Sequence, residues 1–269
     1  METEDIVKGL QNGEFYPVYQ PIINALDGTI HAYEVLARWQ VHKSGENILP
    51  FDFFQIAEQS GISHRITLAV IKKALLEHSQ RPVALNVNLS PNEFLEPSVF
   101  KELEKLINQF NYPKELITIE ITEGACSMSW SKLRARVLFY VDNKWRISLD
   151  DYGIENQTLQ RLMELPVTQF KLDRSLVPDL SANGSDPTTI KKLELIKSIS
   201  AMSQACGLEF VVEGIECYQT AQYLTRVGVT LHQGYYYAKP MPISQLNISR
   251  FIGSATNKNT LFQCKASAG

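Results

Sequence analysis

The chain has 269 residues, with 26 Lys and Arg against 29 Asp and Glu and a formal net charge of -3. That length suits one barrel-sized domain or two smaller ones. The near-neutral balance leaves no basic surplus for binding a nucleic-acid polymer, and 44% hydrophobic with 20% charged residues excludes a disordered chain. The N-terminal METEDIVKGLQNGEF is too charged for a signal peptide, and no run approaches the roughly 18 apolar residues of a membrane span. A cytoplasmic location follows as the expectation, with any membrane anchor outside this chain. Cys126, Cys206, Cys217 and Cys264 form no CxxC pair and read as free thiols.

In chain order, FYPVYQPI and HAYEVLARW predict two strands joined by the hairpin signal NALDGT. FDFFQIAEQSG predicts a helix closed by Gly61, followed by a second helix over HRITLAVIKKALLEH. Strand-length apolar runs then alternate with helix-length amphipathic ones. PVALNVNL precedes SVFKELEKLINQF, LITIEIT precedes KLRARVLFYVDN, and RISLD precedes TLQRLMEL. TQFKLD precedes the long helix TTIKKLELIKSISAMSQACG, LEFVVEG precedes CYQTAQYLTRVG, and TLHQGYYY predicts a last strand before Pro240. Repeated strand–helix units argue for parallel βαβ packing and fit a closed barrel better than an open sheet. PDLSANGSDPTT (178–189) reads as an exposed loop and the polar segment 253–269 as a fraying tail, leaving residues 1–252 as one domain.

The informative pattern is where polar side chains fall. Glu34, Asn88, Glu120, Asp150, Asp151, Lys171, Asp173, Glu213, Glu216 and Gln233 sit at or near predicted strand ends. In a (β/α) barrel those ends converge on one mouth. Carboxylates crowded there must take up protons or bind divalent cations. Glu34 shares a strand face with Leu36 and Arg38, which argues against a free surface position. Two consecutive inward acids at Asp150 and Asp151 require the strand to end there; a turn or helix cap is the plain alternative. Asn88 or Asn86, which share a face, offers a neutral oxygen ligand. Lys171 neutralises the cluster or polarises a water, and a salt bridge to Asp173 is the plain alternative. Glu216 lies near a helix start, where a carboxylate is favoured on electrostatic grounds alone. The histidines 31, 42, 64, 78 and 232 have no common spacing, and Tyr235, Tyr236 and Tyr237 read as barrel packing.

These motifs, taken together, resemble the EAL family of cyclic diguanylate (c-di-GMP) phosphodiesterases over nearly the whole chain. The matching segments are YQP (19–21), EVLARW (34–39, with Val35 where the family usually has Ala), VNLSP (87–91), IEITE (119–123), DDYG (150–153), LPVTQFKLDRSLV (165–177), VVEGIE (211–216) and QGYYYAKPMP (233–242). The resemblance implies a (β/α)8 TIM-like barrel whose first strand runs antiparallel. It implies hydrolysis of c-di-GMP to linear pGpG with two divalent cations, Mg²⁺ or Mn²⁺, and inhibition by Ca²⁺. By the same resemblance Glu34, Asn88, Glu120, Asp150, Asp151 and Glu213 are metal ligands, with Asp150 as the bridge. Glu34, Lys171, Glu213 and Gln233 are the catalytic set, and Gln20, Leu36, Arg38, Asp173 and Pro240 contact substrate. Glu216 anchors the loop after the Asp pair, and the protein is a bacterial cytoplasmic homodimer. One departure stands out: the family's DDFGTGYSSL is DDYGIENQTL here, with Ile154, Glu155, Asn156 and Gln157 replacing Thr, Gly, Tyr and Ser. The lost Gly removes easy access to positive φ. That change supports an alternative, a weak or inactive module that serves as a c-di-GMP receptor or protein-interaction domain.

Overall fold

The computed structural model describes residues 1–121, 129–153, 159–180 and 186–246. Eight strands close into a barrel: β1 (Phe15–Asn24), β2 (Ile30–Gln40), β4 (Leu85–Leu89), β5 (Ile117–Ile121), β6 (Arg146–Tyr152), β7 (Gln169–Leu172), β8 (Glu209–Val212) and β9 (Leu231–His232). β1 runs antiparallel to both neighbours, pairing Gln20 with Glu34 on β2 and Ile23 with His232 on β9. The remaining barrel neighbours pair in parallel. The predicted barrel with an antiparallel first strand is the fold. β3 (Asn47–Ile48) adds a short strand to the distal half of β2.

The helices α2 (Pro50–Gln59), α3 (Ser63–Glu77), α5 (Pro97–Phe110), α6 (Trp130–Asp142), α7 (Leu159–Glu164), α8 (Pro187–Cys206) and α9 (Tyr218–Arg226) match the predicted segments. α1 (Thr3–Gln11) and α4 (Pro91–Leu95) are additional. α4 starts at a capping box, in which Ser90 Oγ accepts from the Glu93 amide and Glu93 answers on the Ser90 amide. Period-2 alternation sends Leu85, Val87, Ile119, Leu149, Phe170 and Val212 outward into one large core shared with the helices. Among the described residues no helix is long and apolar enough to cross a membrane. The proposed boundary at 252 and the tail lie outside the described residues.

The inward-facing residues carry the site. One layer below the mouth, Ile22, Ala32, Val211 and Leu231 form a separate apolar plug. Across the barrel the same layer is polar, with Asn86, Thr118, Ser148 and Gln169 all buried. Half of the floor closes by packing; in the other half Asn86 donates to Gln169 and Thr118 accepts from Arg146, while the buried Ser148 hydroxyl has no hydrogen-bond partner among the described residues.

The last strand is shorter than TLHQGYYY predicts. It ends at His232, and the chain turns away through Gly234, where any Cβ would run into the Ile215 backbone. Tyr237 packs as expected, but Tyr235 is 56% exposed, so the packing reading fails there.

His232 is fully buried, with Nε2 at 3.1 Å from the Val229 carbonyl and Nδ1 at 2.7 Å from the Tyr237 hydroxyl. The neutral ring fits both contacts, donating to Val229 and accepting from Tyr237. Burial holds its pKa down to about 4. Since an unfolded histidine titrates near 6.5, His232 contributes stability above that pH and loses it as pH falls toward 4. From pH 7 to pH 5 the loss is about 2 kcal/mol. Glu120, Asp150 and Glu213, raised by burial, titrate in the opposite sense, so the measurement is a difference. His232→Gln, which keeps one donor and one acceptor, should lose about 2 kcal/mol less than wild type over that interval in urea titrations. Equal losses would show that His232 is not the acid-sensitive group.

Candidate active site

Lys171 stands at the centre of the mouth. The side chain is 1% exposed, and Nζ lies 3.3 Å from Glu34, 3.2 Å from Glu120, 3.3 Å from Asp150 and 2.5 Å from Glu213. The alternative pairing with Asp173 is overturned. Asp173 instead caps the one-turn helix Arg174–Leu176, accepting from the Ser175 amide at 2.7 Å. Asn88, not Asn86, reaches the mouth: its Nδ2 donates to Glu34 Oε1 at 2.9 Å. Gln233 Nε2 donates to the other Glu34 oxygen at 2.6 Å and to Gln20 Oε1 at 3.3 Å.

The backbone explains how these groups meet. Glu120, Asn88 and Lys171 are penultimate in their strands, and Glu213 and Gln233 directly follow theirs. Glu34 departs from the expected strand end. It sits mid-strand, because β2 runs on past the barrel rim to pair with the start of β1. Leu36 and Arg38 continue the same face outward and are half-buried, and the Arg38 guanidinium donates to the Ala37 carbonyl at 2.7 Å.

The Asp pair holds a second correction. β6 does not end at Asp150; it runs to Tyr152. Leu149 pairs with Phe170 and Tyr152 with Leu172, so β6 carries one extra residue, a bulge spanning the two acids. Asp151 takes φ 53°, a left-handed conformation that Asp tolerates better than most residues. The bulge lets two consecutive carboxylates face the mouth. Asp150, Asp151 and Glu213 each offer an oxygen, all within 4.8 Å of one another.

Gly214, at φ 64°, turns the chain just after Glu213, and a Cβ there would strike Arg174. Glu216 is exposed, immediately before the cap of α9. The loop it is expected to anchor, with Ile154–Gln157, lies outside the described residues, as do Cys126 and Cys264. Pro240 is half-buried beside Met241, whose backbone pairs with Tyr19.

The charge balance decides the chemistry. Burial opposes every charge here. It would lower Lys171, yet Asp150, Glu120, Glu213 and Glu34 hold it well above the usual lysine range. Burial pushes Glu213 up to about 8 and raises Glu120 and Asp150, despite the pull of Lys171. For Glu34, burial is outweighed by Lys171 and by donation from Gln233 and Asn88, so it stays low. One ammonium is too little positive charge for four buried carboxylates. The donor set is all oxygen, carboxylates plus one amide, which suits hard divalent cations. Gln233 Oε1 is also buried with no hydrogen-bond partner among the described residues. The residues present therefore fit a bound metal.

The sequence reading missed what lies beneath. Asn86 donates to Glu120 at 2.9 Å and to Gln169 at 2.7 Å, and Gln169 donates to Glu209 at 2.9 Å. The available signal was parity, since Asn86 and Gln169 lie two residues below Asn88 and Lys171 on the same strand faces.

Fold and site define an α/β barrel with an acidic, oxygen-rich mouth. A family model described as the EAL domain matches residues 3–240, and the chain belongs to that family. The cyclic di-GMP phosphodiesterase RocR of Pseudomonas aeruginosa is 31% identical over 244 residues, covering 88% of this chain and 60% of RocR. The probable cyclic di-GMP phosphodiesterase PdeG of Escherichia coli is 28% identical over 244 residues, 88% of this chain and 47% of PdeG. The chain thus spans about half to three-fifths of these relatives' length. The EAL enzyme Bd1971, in its cAMP and cyclic-di-GMP bound form, superposes with a TM-score of 0.78 at 28% identity, over 93% of this chain and 66% of that one.

Proposed function

We propose that this chain is a metal-dependent phosphodiesterase that hydrolyses c-di-GMP to linear pGpG, in a bacterial cytoplasmic signalling protein. The observation that carries the reading is the quartet Glu34, Glu120, Asp150 and Glu213 around Lys171, with Asn88 and Asp151 at its edge. Glu34, Asn88, Glu120, Asp150, Asp151 and Glu213 would hold two divalent cations. When bound, such cations lower the proton affinity of a water and offset the charge that builds on phosphate oxygens. Lys171, fixed by its carboxylate neighbours, holds a proton donor at the reacting centre. Gln233 orients Glu34 through one amide hydrogen and turns its free Oε1 to a water. Arg38 has the fork geometry for a phosphate oxygen once it leaves the Ala37 carbonyl. Leu36, Gln20, Asp173 and Pro240 would shape the substrate cleft around it. The test is incubation with c-di-GMP in Mg²⁺ or Mn²⁺ against chelator, with chromatography for pGpG. No product in either metal overturns the reading.

Calcium separates a built two-cation site from a generic acidic patch. Ca²⁺ is larger and accepts loose coordination, so it occupies such a site without fixing the water. Turnover in Ca²⁺ should fall below about a tenth of that in Mg²⁺, and added Ca²⁺ should inhibit the Mg²⁺ reaction. Equal rates would count against the two-cation mechanism.

A second reading, a c-di-GMP receptor with little turnover, is favoured by one sequence observation. Ile154, Glu155, Asn156 and Gln157 stand where the family has Thr, Gly, Tyr and Ser. Glu155 adds negative charge close to Asp150 and Asp151 in sequence, where it repels phosphate or competes for a cation. Restoring Thr-Gly-Tyr-Ser should raise kcat or tighten metal binding by about tenfold, the scale of outer-shell changes. The check is steady-state hydrolysis against metal concentration for both proteins. Identical curves would make the loop a neutral variation and remove the main support for the receptor reading.

A further inference from the structure

Beneath the mouth, the polar half of the barrel floor is wired as a chain whose direction is fixed from its far end. Glu120 is fully buried; its Oε2 faces Lys171 at 3.2 Å, and its Oε1 accepts from Asn86 at 2.9 Å. Asn86 and Gln169 are each 1% exposed, so solvent cannot substitute for their partners. A primary amide can turn end for end, exchanging its oxygen and nitrogen, unless its partners forbid it.

Here both ends forbid it. Glu209 is ionised and can only accept: burial works against its charge, but His31 and Arg146 hold its pKa down to about 2. Gln169 must therefore turn its NH₂ toward Glu209, at 2.9 Å, and its oxygen toward Asn86. Asn86 must then present its NH₂ to that oxygen, at 2.7 Å, and the second hydrogen of the same group goes to Glu120. A flipped Gln169 would face NH₂ with NH₂ against the buried Asn86 and oxygen with carboxylate at the partly exposed Glu209, two repulsions of which the first has no water to relieve it. Glu209 is itself held at 2.8 Å by Arg146 and at 3.3 Å by His31, at the opposite end of the barrel from the substrate mouth.

We propose that Glu209 is a positioning residue for the active site, acting through Gln169 and Asn86 to keep the Glu120 carboxylate aimed at Lys171 and the mouth. The proposal rests on the phosphodiesterase reading in one respect, that Glu120 serves as a metal ligand. Outer groups that orient ligands govern metal affinity without touching the ion. Glu209→Gln keeps shape but can donate as well as accept, so it no longer dictates the orientation of Gln169. Gln169→Met cuts the chain in its middle without changing charge. Arg146→Met removes the salt bridge but leaves Glu209 as an acceptor.

The experiment is direct Mn²⁺ binding, by calorimetry or by loss of the free Mn²⁺ electron-resonance signal, alongside kcat and KM for c-di-GMP. Glu209→Gln and Gln169→Met should each weaken Mn²⁺ binding by about tenfold with KM unchanged, while Arg146→Met stays within about twofold of wild type. If Glu209→Gln does not fold, Gln169→Met decides alone. Wild-type Mn²⁺ affinity in Gln169→Met overturns the proposal. So does an equal loss in Arg146→Met, which would make the effect one of general stability. Wild type that binds no Mn²⁺ overturns the metal reading beneath it, an outcome separate from normal wild-type binding with unaffected variants.

Discussion

Glu34→Ala should lose hydrolysis while its thermal stability in chelator changes little. Glu34 is one of four carboxylates sharing the single ammonium of Lys171, and the other three remain within 3.3 Å of it. Removing one negative charge from an over-charged cluster relieves repulsion. It also leaves Asn88 and Gln233 without an acceptor, but the space vacated at the mouth admits water. The two effects oppose, and the net change should stay within about 2 kcal/mol. Function responds differently. A direct ligand supplies both charge and a coordination position, so hydrolysis should fall by more than about 100-fold, beyond the range for outer-shell groups. Binding to the folded state alone raises stability, so wild type should melt higher in Mg²⁺ or Mn²⁺ than in chelator, and Glu34→Ala should lose most of that rise. Wild-type turnover in the variant at saturating metal would remove Glu34 from the ligand set.

Much of this was legible in the sequence, for a physical reason. Alternating strands and amphipathic helices expose their periods directly, and acids inside apolar strand patterns have few explanations. Sequence reading stumbled where the backbone departs from a regular period. It could place Asp150 and Asp151 on one side only by ending the strand, because parity sends neighbours to opposite faces. The structure keeps the strand and inserts a bulge, with the positive φ at Asp151 absorbing the extra residue. TLHQGYYY has the composition of a strand, but the close approach of Gly234 to Ile215 stops it at His232. The histidines looked incidental because they share no spacing. Yet His31 pairs with Glu209 on a strand 178 residues away, a contact that only barrel closure creates. The relay below Glu120 was hidden for the same reason: each member is an ordinary polar residue until three strands bring them together.

Lys171→Met carries the largest expected effect on stability. The ammonium is buried and touches four carboxylates, of which Glu120 is fully buried and Glu213 is only 20% exposed. Methionine fills similar volume, so the substitution isolates charge. What remains is a set of acids facing one another with no internal cation. Breaking a buried ion pair by removing one partner costs about 3–5 kcal/mol. Protonation of the carboxyls already raised by burial offsets part of that loss. For a domain of this size the melting temperature in chelator should drop on the order of 10 °C. Divalent cations should reverse most of the drop, because the vacated centre then holds more unopposed oxygen donors than in wild type. On the proposed function, hydrolysis should remain lost in saturating metal, since Lys171 would be the proton donor beside the substrate. Thermal melts in chelator and in Mn²⁺, run beside the hydrolysis assay, separate these effects. An unchanged melting temperature in chelator would show that Lys171 is not the counter-charge holding the mouth together. Recovery of hydrolysis by Mn²⁺ would restrict Lys171 to that structural role and leave the positioning of the water to Glu213 and Gln233.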